Sequence, residues 1–175
     1  MNEVLQAMKE RRSIRRFKPD PVDPALIEQV IEAGLYAASS RNRQATKIIA
    51  VISPQVCRYF REENRRIWGG DKEGDPFYGA PVILIVIADK KFPNGVYDGS
   101  LVMGNLMLAA HSLGLGSCWI HRAKEEFELP AGRKFLQDLH IEGDYEGIGH
   151  CALGYMDGEL PPPLKRKENR VYYVK

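Results

Sequence analysis

A three-layer α+β fold, one central sheet covered by helices on both faces, follows from three observations. Residues 81–88, Pro-Val-Ile-Leu-Ile-Val-Ile-Ala, are nearly all apolar, and continuous rather than alternating hydrophobicity marks a strand covered on both sides. Residues 24–38 carry Leu26, Ile27, Val30, Ile31 and Leu35 at helical spacing. Residues 97–113 are apolar almost all round, the mark of a helix that is central or lies at a subunit interface. Buried strands alternating with such helices imply helices above and below one sheet.

The elements follow in order. Residues 3–12 form a short amphipathic helix with Val4, Leu5 and Met8 on one side. Asp23-Pro24 opens the next helix, Asp as N-cap and Pro at the first helical position. A small, polar cluster, Ser39-Ser40-Arg41-Asn42-Arg43-Gln44, closes it. Residues 48–52 are apolar and β-branched and read as a buried strand, after which Ser53-Pro54 starts a helix reaching about Trp68. Residues 69–79 hold four glycines, a proline and several acids, and read as a mobile loop before the central strand. In the helix over 97–113, Gly99 and Gly104 weaken intrinsic helicity but admit close neighbours. Gly114-Leu-Gly116 ends it and residues 117–121 form a short strand. Short helices over 124–128 and 133–139, around Pro130, precede a glycine-rich strand over 147–154. The tail has prolines at 161–163, a basic cluster Lys165-Arg166-Lys167, and a strand-like run over 171–174 suited to pairing outside its own body.

Composition bounds the function. At 175 residues the chain suits one domain, 1–175, with a substantial core. Its 44% hydrophobic and 27% charged content is that of a soluble globular protein. A net charge of only +2, from 25 basic and 23 acidic residues, argues against a general nucleic-acid or membrane-surface binder. No apolar stretch is long enough to cross a bilayer and no signal peptide is indicated. Cys57, Cys118 and Cys151 are odd in number and widely spaced. A disulfide framework or zinc site is therefore not expected, and a reduced cytoplasmic compartment is.

The densest chemistry is Arg11-Arg12-Ser13-Ile14-Arg15-Arg16-Phe17. Guanidinium groups match phosphate oxygens bidentately and stay charged at any working pH. Arg11, Ser13 and Arg15 facing one side, with Ile14 and Phe17 in the core, would make a socket for one phosphate. A solvated basic helix end is the alternative for this run. Dinucleotide and Walker glycine motifs, a Gly-x-Ser-x-Gly elbow and paired metal-ligand histidines are all missing. With no evident nucleophile and base, a cofactor is expected to carry any catalysis, and no catalytic residue is named.

Three motifs in order, Arg11-Arg12-Ser13-x-Arg15-x-Phe17, Ser39-Ser40-x-Asn42-x-Gln44 and Gly114-Leu-Gly-Ser-Cys-Trp-Ile120, resemble the FMN-dependent nitroreductase family over essentially the whole chain. The resemblance implies a mixed central sheet and a homodimer that exchanges C-terminal tails, with FMN bound at the subunit interface. It places Arg11, Arg12 and Ser13 on the FMN phosphate and Arg15 near the flavin pyrimidine edge. Ser39, Ser40, Asn42 and Gln44 would reach the flavin from the partner subunit. Cys118, Trp119 and Ile120 would pass near the ring, Cys118 as a buried, inert thiol, and Lys165 and Arg166 would close the phosphate site from the tail. Trp119 as ordinary core and 165–167 as a solvated charge cluster are the alternatives.

The implied activity is an NAD(P)H-dependent oxidoreductase. NADH or NADPH would reduce the flavin at N5, and a small organic acceptor (nitroaromatic, quinone or enone) would reoxidise it in a ping-pong cycle. The rivals are a flavin-binding or scavenging protein without turnover, and a reductive dehalogenase or flavin-cleaving member of the same fold. The chain departs from the family pattern at Ala45-Thr46, where a Pro-Trp pair often stands, and in lacking the inserted helical region of larger members. Lys72 is the one candidate for a flavin-side lysine in the 69–79 loop.

Overall fold

The computed structural model describes residues 2–69 and 73–175. Its sheet is built around β2 (Val82–Asp89), seven of whose eight residues are buried. β1 (Thr46–Val51) and β4 (Tyr145–Gly154) flank it, and β3 (Gly116–Ile120) closes the far edge, giving the order β1-β2-β4-β3. All three pairings are antiparallel. The expected mixed sheet is therefore corrected for the chain's own strands. Among the described residues, parallel pairing is confined to the isolated bridge Ser13–Ser117. The connection after β1 is a helix followed by a returning loop, so the chain enters β2 at the end where it left β1 and runs the opposite way.

Among the described residues, six α-helices accompany the sheet: α1 (Glu3–Glu10), α2 (Pro24–Leu35), α3 (Pro54–Gly69), α4 (Gly95–Ser112), α5 (Ala123–Glu128) and α6 (Pro130–Asp138). Asp23 caps α2 as expected, its carboxylate accepting from the Ala25 amide at 2.9 Å. α2 ends three residues early because Tyr36–Ser39 turns toward the N-terminus of α4. Side chains along β2 alternate between two cores. Ile83, Ile85 and Ile87 pack with Phe60 of α3, Phe127 of α5 and Leu136 of α6. Val82, Leu84 and Val86 pack with Val30 of α2 and Val102, Met103 and Leu106 of α4. Both faces are apolar, which is why the strand shows no polar alternation.

Of the two α4 glycines, Gly99 faces the sheet, where an added Cβ would lie 2.6 Å from Ile148 Cγ1, whereas Gly104 faces open space. The part of the 69–79 loop nearest β2 is pinned rather than free. Asp75 accepts from the Phe77 and Gly79 amides at 2.8 and 2.7 Å and pairs with Arg61 Nε at 3.1 Å, while Arg61 also donates to the Ala80 carbonyl. Lys72 lies outside the described residues. From Asp157 the tail runs exposed to residue 175, and the strand-like 171–174 run joins no ladder among the described residues.

Candidate cofactor site

The basic run leaves α1 and is strapped along the open edge of β3. Ile14 N–H donates to the Ser117 carbonyl at 2.9 Å, and Phe17 forms an isolated bridge with Met156. Ile14 and Phe17 are buried, as the anchoring role required. The Arg16 guanidinium bonds Asp157 at 2.7 Å and closes the strap. Residues 11, 13 and 15 then share one side. All three act on the Cys118 thiol, which burial pushes up in pKa while the Arg15 charge, the Ser13 hydroxyl and Arg11 pull it down. Arg11 Nη1 is buried without a hydrogen-bond partner among the described residues. Such a cationic donor is expensive to leave unmatched unless an anion meets it. Arg12 Nη1 donates to the Lys9 and Arg11 carbonyls at 2.7 and 2.8 Å and caps α1, while its Nε, like Arg11 Nη1, is buried without a hydrogen-bond partner among the described residues.

The second motif lies elsewhere. Ser40 N–H donates to buried Asp98 at 3.0 Å, and Asn94 Nδ2 donates to Ser40 Oγ at 2.8 Å, tying the segment to the N-terminus of α4. Gln44 N–H donates to Ser39 Oγ and Gln44 Nε2 to Asn42 Oδ1, each at 3.0 Å. Arg41, Asn42 and Gln44 all have left-handed φ, 54°, 52° and 50°. That conformation is uncommon outside glycine and clusters at ligand-binding loops. Asn42 and Gln44 project exposed. Thr46, where a bulky ring often stands in the family pattern, is instead the first ladder residue of β1, opposite Ala88.

The two motifs do not meet within one chain. Residues 39–44 lead into β1 and residues 13–17 run along β3, the opposite edges of a four-stranded sheet. Three strand spacings separate those edges, about 14 Å, and the segments also sit toward opposite ends of α4. Cys118 and Ile120 are buried, and Trp119 is half-buried, with its indole nitrogen against Gly149 and without a hydrogen-bond partner among the described residues. Lys165 and Arg166 lie on the exposed tail, Lys165 facing Glu168 at 3.6 Å.

Sequence reasoning missed a buried polar cluster. His150 Nε2 lies 2.7 Å from Glu126 Oε2, both side chains almost wholly enclosed. Asn64 Nδ2 donates to Glu126 Oε1 and to the His121 carbonyl, each at 2.9 Å. Arg122 Nε donates to Asn64 Oδ1 at 2.8 Å. These partners are 24 or more residues apart in the chain, so no spacing motif could reveal them. Among the described residues, no group of three or more His, Cys, Asp or Glu could hold a metal ion, and no helix is long and apolar enough to cross a membrane.

Residues 8–155 match the model of the nitroreductase family, and the chain belongs to that family. A Methanothermobacter thermautotrophicus relative, provisionally named NADH dehydrogenase/NAD(P)H nitroreductase, is 35% identical over 121 residues, which cover 67% of this chain and 60% of the relative. The Bacillus subtilis FMN reductase [NAD(P)H] is 30% identical over 67% of this chain and 53% of its own length. The chain thus spans little more than half the length of these two relatives. The crystal structure of a Bacteroides fragilis nitroreductase with bound FMN superposes with a TM-score of 0.91 at 27% identity, covering all of both chains.

Proposed function

We propose that this chain is an FMN-dependent oxidoreductase that passes electrons from NADH or NADPH to a small organic acceptor, and that it works as a homodimer. The observation that carries the reading is the buried, unmatched Arg11 Nη1 beside Ser13 and Arg15, a donor set suited to a phosphate monoester. Such a phosphate would satisfy Arg11, take a hydroxyl bond from Ser13, and leave exposed Arg15 to face a negative portion of the bound ring. Bound FMN would supply hydride acceptance and donation. Arg15 would favour the ring's reduced, more negative form by placing a fixed positive charge beside it. Asn42 and Gln44, preset by their left-handed backbone, would offer amide donors and acceptors from a second copy.

The second copy is called for by separation: the two halves of the site lie on opposite sheet edges. It is supported by an apolar stripe on the outer face of α4, where Tyr97 and Leu101 are exposed, Gly104 faces open space, and Leu108 continues the same face. Val4, Leu5 and Met8 of α1 are exposed as well. The exposed tail, with Leu164 and residues 171–174 bare, suits the surface of a partner, on which Lys165 and Arg166 would close the phosphate site. The nitroaromatic, quinone or enone acceptor and the ping-pong order belong to this reading.

The deciding experiment is the visible spectrum of the purified chain before and after anaerobic NADH or NADPH. A flavin band that bleaches on the time scale of turnover supports the oxidoreductase. A flavin band that persists supports the flavin-scavenging alternative. No band after incubation with FMN overturns the reading.

A further inference from the structure

At the N-terminal end of α4 a cleft of about 310 Å³ opens between the turn over 40–43 and the turn over 91–94. The volume is at the small end of the range for small-molecule sites. Three of the residues around it are cationic: Arg41, Arg43 and Lys91. All three are exposed, and none has an ion-pair partner among the described residues. Lys90, one residue earlier, contrasts with them, since it pairs with Asp144 at 2.9 Å. The two acids nearby are engaged by backbone amides. Asp98 accepts from Ser40 N–H at 3.0 Å, and Asp89 accepts from Lys91 N–H at 2.9 Å. The cleft is therefore left with a surplus of positive charge.

Its two sides are tied together. Asn94 Nδ2 donates to Ser40 Oγ at 2.8 Å, and Asp89 N–H donates to the Ala45 carbonyl at 3.0 Å. Arg43 Cζ lies over the Phe92 ring, 4.8 Å from its centroid, which steadies the guanidinium without using its N–H donors. Arg41 has φ 54° and ψ 29°, a left-handed conformation uncommon for a long side chain. Like charges held around one hollow repel, and an anion relieves them. A phosphate monoester carries about two negative charges near neutral pH. Guanidinium groups match its oxygens bidentately and an ammonium meets them as a point charge. Arg41 and Arg43 alternate along the chain with Asn42 and Gln44, whose side chains bond each other at 3.0 Å and which the proposed function puts on the flavin of a second copy. A nicotinamide dinucleotide reacts at one end and carries its adenosine ribose at the other, beyond two phosphates. A group that reads that ribose belongs beside the flavin contacts rather than among them. We propose that this cleft binds the 2′-phosphate that distinguishes NADPH from NADH, with Arg43 and Lys91 as its main partners and Arg41 as a third charge. That the phosphate belongs to an electron donor rests on the oxidoreductase reading, whereas the binding of a 2′-phosphorylated adenosine does not.

The purified full chain, incubated with FMN, would be titrated calorimetrically with adenosine 2′,5′-bisphosphate, with adenosine 5′-monophosphate and with inorganic phosphate. The expected result is that the bisphosphate binds roughly tenfold or more tightly than the monophosphate. Arg43→Gln should weaken the bisphosphate roughly tenfold, and Arg43→Lys, which keeps the charge, should recover part of that loss. Equal affinity for the two nucleotides in the wild type, inorganic phosphate binding as tightly as the bisphosphate, or an Arg43→Gln titration that matches wild type overturns the proposal. Should Arg43→Gln fail to fold by circular dichroism, Lys91→Gln decides in its place by the same criterion. The flavin band is then followed anaerobically with each donor. A kcat/KM that favours NADPH over NADH, with the ratio falling roughly tenfold in Arg43→Gln through KM, supports the assignment to the donor, and a wild type that favours NADH overturns it. A flavin that neither donor bleaches overturns the oxidoreductase reading instead, and the calorimetry still decides whether the cleft takes the 2′-phosphate.

Discussion

Arg11 draws its importance from where its charge ends. Arg15 and Arg16 are exposed to water and Arg12 spends its Nη1 on carbonyls, whereas Arg11 Nη1, a terminal nitrogen of its fork, is buried with no hydrogen-bond partner among the described residues. Arg11→Gln removes the charge while keeping a polar chain of similar reach. It should weaken FMN retention by about tenfold or more, since charge-assisted bonds contribute about 1.5–3 kcal/mol. Equilibrium dialysis against FMN would measure it, and unchanged affinity would remove Arg11 from the site. The cysteines behave in the opposite sense. Burial raises all three thiols, Cys57 and Cys118 against nearby arginines, and Cys151 is pushed up to about 12. A group whose pKa is raised by folding contributes stability below its unfolded value and loses it as pH rises through the folded value. The thiols should therefore leave stability flat up to about pH 8. Above pH 9 each can remove up to about 1.4 kcal/mol per pH unit. Thermal midpoints from pH 7 to 11 should fall less steeply in Cys151→Ala than in wild type, and parallel curves would show that this thiol is not the cause.

At the scale of elements, the helix signals were legible because they are local. Asp23 before Pro24, and apolar residues three and four apart, act through backbone geometry alone. What α5 and β4 do to each other is not local. An added Cβ at Gly147 would stand 2.2 Å from the carbonyl carbon and oxygen of Ala123, backbone atoms that cannot swing aside. Gly147→Ala should destabilise the fold by about 1–3 kcal/mol or more, and it would also disturb Arg122, which immediately precedes α5. Denaturant unfolding would measure this, and a change below about 0.5 kcal/mol would mean that the two elements separate easily. The 69–79 loop gives the opposite lesson. Its glycines and acids read as mobility, yet Asp75 spends its carboxylate on two amides and Arg61. An acid poised to cap its own turn looks the same in sequence as one left in solvent.

At the scale of the molecule, the open question is how many chains make one site. The outer face of α4 carries Tyr97, Leu101 and Leu108 around Gly104, an apolar face that would serve a second copy as its interface. If that interface joins the two halves of the site, Leu101→Glu should convert the protein from dimer to monomer and lower its flavin content with it. Sedimentation velocity and the flavin-to-protein absorbance ratio would follow both. A monomeric variant that keeps its flavin would show that one chain suffices.

The sequence by itself determined the strand that centres the sheet, the helices that cover it, and the three motifs that point to FMN, because periodicity, capping and motif order are written in neighbouring residues. Only the tertiary structure decided that the chain's own strands pair antiparallel and that Arg12 Nη1 caps a helix while Arg11 Nη1 is buried unmatched among the described residues. It alone put the two halves of the candidate site on opposite edges, and it alone joined Asn64, Glu126 and His150 beneath Arg122. Those outcomes depend on which distant side chains share a buried volume. In such a volume an unpartnered polar group is costly, and no local pattern records which partner it finds.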